Sequence, residues 1–76
     1  MRDREFLVET NTQDVIKYIV EEKNISIMNA LREFYVSEVF QKLQDYETGL
    51  YLESPSYIYD LYKNELLHSG IIQDEI

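Results

Sequence analysis

The sequence has no cysteine, one proline, two glycines and one histidine, and only seven basic residues against fifteen acidic ones. Without cysteine there is no disulfide staple, and no Cys/His cluster offers a structural zinc site. The two glycines stand twenty-one residues apart and make no phosphate cradle. The lone histidine, His68, lies beside Ser69, but adjacent helical positions point about 100° apart, so the two do not form a base–nucleophile pair. No run approaches the roughly 18 apolar residues of a membrane span. Met1 to Glu5 is charged and no apolar stretch of leader type follows it, so the expected location is cytoplasmic.

What is present is acid, helix pattern and tyrosine. Net charge is −8, and it is uneven. Residues 1–43 hold six basic and eight acidic side chains, whereas 44–76 hold Lys63 and seven acidic ones. Such a surface repels phosphate and disfavours direct nucleic-acid binding. It suits either plain solubility or a basic partner protein. A hydrophobic content of 45% is ordinary for a globular chain. Seventy-six residues make one domain, in which little more than about 60% of the unfolded surface is buried. A partner, either another protein or a second copy, is a natural supplement to so small a core.

The chain is organised around Asp45–Leu61, DYETGLYLESPSYIYDL. Gly49 suits a left-handed turn. Ser54-Pro55 is a strong helix start, serine as cap and proline in the first helical position. Between them Leu50 and Leu52 are expected to plug inward, which makes the stretch an elbow between helices. Upstream, Val8, Thr12, Val15 and Ile19 share a helical face. One helix from Asp3 to Lys23 is expected, although Asn11 or Thr12 could instead cap a shorter one. Ser26 caps the next helix, whose inner stripe is Ile27, Ala30, Leu31 and Phe34. Ser37 is a second possible cap, so 26–44 reads as two short helices meeting there rather than one kinked one. Pro55–Leu67 is the last helix. Ile58, Leu61, Tyr62, Glu65 and Leu66 mark its inner side, with Tyr57 and Tyr59 on its flanks. Ser69-Gly70 is expected to stop it, with His68 in its last turn; residues 71–76 would be a loose tail. The expected fold is all-α, a small orthogonal bundle of three to four helices.

Chemistry is scarce. Glu21-Glu22, Asp45/Glu47 and Asp74-Glu75 pair carboxylates, but acid–base catalysis also needs a pocket that shifts their pKa values, and the chain has little volume for one. Asp45, Glu47 and Glu53 do not match calcium-loop spacing. A helix-turn-helix over 26–44 would offer Glu38, Gln41, Lys42, Gln44 and Asp45 to the DNA groove, without the arginines that grip phosphate and guanine. No enzyme activity, cofactor or metal is expected. Four of the seven tyrosines (Tyr51, Tyr57, Tyr59 and Tyr62) cluster around the elbow and last helix. Tyrosine is enriched at protein interfaces. Tyr51, Glu53, Tyr57 and Asp60 are therefore the candidate protein-binding residues. In the alternative, Phe6, Leu7 and Ile72 are buried in a homodimer.

The segments SIMNALREFYVSEVFQKL and ETGLYLESPSYIYDLYK resemble a group of short, acidic, bacterial helical proteins, in which an A-L-x-x-F-Y-x-S segment leads through E-T-G-L-Y-x-x-S to a final helix. The resemblance covers roughly residues 5–67 and rests on caps and turns, with no catalytic residue in it. The group is of unknown function, and its members look like partners of toxin genes, some resembling ADP-ribosyltransferases. The resemblance thus implies an antitoxin or accessory role and designates no site residue.

Overall fold

Helix-forming segments punctuated by serine caps produce four α-helices and no strand among the described residues. The computed structural model describes the backbone of residues 2–75 and the side chains of residues 3–68. The helices are α1 (Arg2–Lys23), α2 (Ile27–Tyr35), α3 (Glu38–Gln44) and α4 (Pro55–Glu75). Two 3₁₀ turns, Tyr46–Thr48 and Leu50–Leu52, form the elbow between α3 and α4. The chain is a small all-α bundle. α1 packs against both α4 and α2, Phe34 of α2 meets Tyr62 of α4, and α3 braces α4.

α1 is continuous through its three poor helix formers because each has a job for its side chain. Thr10 and Thr12 donate to the carbonyls of Phe6 and Val8, one turn back, at 2.7 Å. Asn11 is buried, and its amide leaves the helix to donate to the elbow carbonyls of Tyr51 at 3.1 Å and Glu53 at 3.3 Å. Asn24 then ends the helix at φ 57, the left-handed conformation that asparagine tolerates.

The serines act as expected. Ser26 accepts from the amide of Asn29, Ser37 from Phe40 and Ser54 from Tyr57. Ser37 also donates to the carbonyl of Phe34 at 2.6 Å, so the break between α2 and α3 is stitched on both sides. Glu65 reaches from α4 to the start of α3, its two oxygens accepting from the amides of Glu38 at 2.9 Å and Val39 at 3.1 Å. A carboxylate at that end also suits the helix dipole. Around these clamps the core is Val15, Ile16 and Ile19 of α1, Ala30 and Phe34 of α2, Val39 and Leu43 of α3, Leu50 of the elbow, and Ile58, Tyr59 and Tyr62 of α4. Full burial of each large apolar side chain contributes roughly 2 kcal/mol.

Four local expectations are corrected. Leu50 is buried but Leu52 is 67% exposed. A 3₁₀ turn has three residues per revolution, so side chains two apart cannot point the same way. Ile27 is 62% exposed rather than inside, because the core takes only the Ala30–Phe34 edge of α2. Tyr59 is core rather than flank, since the buried arc of α4 is centred on Tyr62 with Leu61 only half-buried. Finally, α4 does not stop at Ser69-Gly70 but runs to Glu75, which leaves His68 inside the helix with its Nδ1 2.8 Å from the Asn64 carbonyl. One interior glycine costs a helix only about 1 kcal/mol, too little to end it. The backbone of 71–75 belongs to α4, and the Ile71 and Ile72 side chains lie outside the described residues.

At the elbow Gly49 has φ +72, and nothing lies within 4 Å of where a Cβ would stand. The penalty for a side chain there is therefore conformational alone. Gly49→Val is expected to lower unfolding free energy in urea by about 1–2 kcal/mol and Gly49→Asn by less, asparagine tolerating positive φ. Equal effects from the two would contradict the left-handed turn.

Candidate protein-binding site

The four residues singled out from the sequence fall at the elbow and the first turns of α4. Glu53 and Asp60 are exposed, and Tyr57 is 48% exposed. Tyr57 and Asp60 are three apart on α4 and so are surface neighbours. Tyr51 is only half-buried and turns inward against Tyr46, ring centroids 5.5 Å apart, with the Arg4 guanidinium 5.1 Å above the Tyr46 ring. Asp60 has a weak cationic neighbour in Lys63 at 3.8 Å. Leu52 supplies an exposed apolar side chain next to Tyr51 and Glu53 in the chain.

The other two tyrosines of that cluster belong to the interior. Tyr59 lies between Tyr18 (5.3 Å) and Tyr62 (6.3 Å), and its hydroxyl donates to Glu22 Oε1 at 3.0 Å. Lys63 covers its ring at 4.7 Å. Tyr62 is fully buried against Phe34, its hydroxyl has no partner at hydrogen-bond geometry, and the Glu33 and Glu65 carboxylates act on it. Burial first, then the Glu22 carboxylate, pushes the Tyr59 phenol up to about 12. Burial, then the charges of Glu33 and Glu65, pushes Tyr62 up to about 12. These shifts mark packing, since neither phenol opens onto a cleft.

The larger surface feature lies elsewhere, in a trough of about 390 Å³ between α1 and α2. Ile16 and Val20 form its floor, and Ile27, Leu31 and Tyr35 its far wall. Ile27 and Tyr35 remain 62% and 50% exposed, so it is an open surface trough rather than an enclosed cavity. Two further depressions continue it along α1. One of about 340 Å³ shares Thr12, Gln13 and Tyr35 with it and adds Val8 and Phe40. The next, of about 270 Å³, shares Val8 and Glu9 and reaches Glu5 and Tyr46.

Helix geometry explains the trough. At 100° per residue, Ala30 and Phe34 occupy one edge of an apolar arc on α2 that continues through Ile27, Leu31, Tyr35 and Met28. The arc is wider than the core it serves. The sequence pattern puts Ile27, Ala30, Leu31 and Phe34 on one inner stripe with Tyr35 and Met28 at its edges, and of these the core fully buries only Ala30 and Phe34. Among the described residues there is no cluster of three or more His, Cys, Asp or Glu arranged to hold a metal ion, and no helix is long and apolar enough to cross a membrane. No protein-family model, curated protein or solved structure is detectably similar to the chain.

Both buried phenols have folded values above the unfolded value of about 10, so folding favours their neutral form. Their stabilising contribution is complete below pH about 10 and is lost as pH rises towards about 12. An alkaline titration followed by tyrosinate absorbance and circular dichroism should show two of the seven phenols ionising late, together with loss of helix. Ionisation of all seven near about pH 10 with helicity intact would contradict this packing.

Proposed function

We propose that the protein is a cytoplasmic protein-binding module that covers a basic partner, in the antitoxin-like manner implied by its resemblance to toxin-associated helical proteins. One observation carries the reading: α2 presents an apolar arc wider than the core uses, leaving Ile27 and Met28 each 62% exposed and Tyr35 50% exposed beside a trough. Apolar surface rimmed by polar groups is characteristic of interaction sites. The net charge of −8 favours a basic partner through steering and selectivity more than through raw affinity. The elbow face, with Tyr51, Glu53, Tyr57 and Asp60 and now Leu52, is a second contact area on the same reading. No catalytic role is assigned, because neither surface brings a nucleophile to a base.

Three baits compared in lysate of the native host test this: the wild type, Ile27→Asp with Tyr35→Asp, and Glu53→Lys with Asp60→Lys. All four positions are solvent-exposed, so helix content by circular dichroism should be unchanged. The charge-reversal variant should melt within about 0.5 kcal/mol of the wild type. The α2 variant, which loses the Tyr35–Phe40 stack at 4.8 Å and places an anion at the end of α2, should melt within about 2 kcal/mol of it. The wild type should retain one stoichiometric basic protein, and the α2 variant should lose it by about tenfold or more. Equal retention by all three baits would contradict both surfaces. A wild type that retains nothing and scatters light as a dimer would replace this reading with self-assembly.

A further inference from the structure

The trough along α1 has a floor and a rim of different chemistry. Val8, Thr12, Ile16 and Val20 recur every fourth residue and face into it. The neighbouring row, also every fourth residue, is Glu5, Glu9, Gln13, Lys17 and Glu21. The floor is therefore apolar with one hydroxyl, and that hydroxyl is already bonded to Val8. Three carboxylates against one ammonium make the rim acidic, and α2 and α3 add no charged side chain to the lining. From Glu5 to Glu21 the row spans sixteen steps, about 24 Å at helical rise.

We infer that the trough is a docking groove for one amphipathic helix of about four turns whose apolar stripe is flanked by lysine or arginine. The inference rests on the protein-binding reading above and specifies the partner's segment. Length points to a helix, because an apolar floor about 18 Å long from Val8 to Val20, inside a rim about 24 Å long, matches an i, i+3, i+4, i+7 stripe. Charge argues against a second copy of this chain, since each copy carries −8 and would bring its own acidic α1 rim against another. The same charge favours a cationic helix. Glu5 and Glu9 at one end and Glu21 at the other are placed to meet cations near both ends of the ligand. Lys17 marks the one rim position where a cation on the ligand would be repelled and an acidic or neutral residue preferred.

The test uses the full chain, labelled with ¹⁵N, and a synthetic helical peptide of about 16 residues with an apolar stripe flanked by lysines. A second peptide has the same stripe flanked by glutamates. The lysine peptide should shift the amides of Ile16, Val20, Ile27, Leu31 and Tyr35, and should bind about tenfold or more tightly than the glutamate peptide. Raising salt from about 0.05 M to about 0.5 M should narrow that difference. Glu5→Lys with Glu9→Lys and Glu21→Lys, all at exposed positions, should reverse the preference without loss of helix. Equal binding of the two peptides, shifts confined to the elbow, or concentration-dependent shifts of the protein alone in these residues would each overturn the inference. If the lysate partner is lost with the α2 variant while the lysine peptide fails to bind, only the helix assignment falls. If no partner exists at all, the protein-binding reading falls with it.

Discussion

The fold depends on one buried amide. Asn11 sits in the middle of α1, where asparagine is a poor helix former, and its side chain serves the backbone of a segment forty residues away. The elbow needs that service. Between α3 and α4 the chain makes two 3₁₀ turns and a left-handed glycine, geometry that leaves the carbonyls of Tyr51 and Glu53 free of regular helical partners. Both bonds are part-buried, so leaving these carbonyls without the Asn11 donor would cost about 1 kcal/mol or less each. By donating to both, Asn11 fixes where α4 begins relative to α1, and Ile58 and Tyr62 then meet Val15 and Ile19 across the interface. Glu65 completes the frame from the other end by holding the first amides of α3.

Local punctuation was legible in the sequence because its causes are local. Ser26, Ser37 and Ser54 cap where serine should, and Gly49 takes the backbone conformation that glycine makes easy. Long-range demands were not legible. The row of Thr10, Asn11 and Thr12 looks like an interruption until the elbow supplies Asn11 with acceptors. Periodicity assigned Leu52 to the interior because apolar residues two apart in a short run suggest a shared direction, and a 3₁₀ turn denies it. Tyr59 looked like a flank because nothing in its neighbourhood in the chain shows that Glu22, thirty-seven residues back, will accept its proton donor. The end of α4 was misplaced by reading a glycine as a stop when its cost in a helix is small.

The candidate sites divide in the same way. Tyr57, Glu53 and Asp60 are exposed, as a surface role requires, yet Tyr51 is drawn towards Tyr46, and Tyr59 and Tyr62 are spent on packing. The trough was missed because an apolar arc reads as core by default. Only the observed packing shows how much of that arc the core uses. A bundle of this size has room for one buried edge of α2, and the remainder faces outward along an acidic rim. The core is just large enough to hold four helices, and surplus apolar surface on α2 is left outside it.

The most direct measurement is hydrogen exchange of the Asn11 side-chain amide in heavy water, followed by NMR. If the clamp holds the elbow, the two Nδ2 protons will persist far longer than those of the exposed residues Asn24, Asn29 and Asn64, and will be lost only with global unfolding. If Asn11 exchanges as fast as those three, the elbow is not held from α1, and the placement of α4 and the uncovered face of α2 would both need another cause.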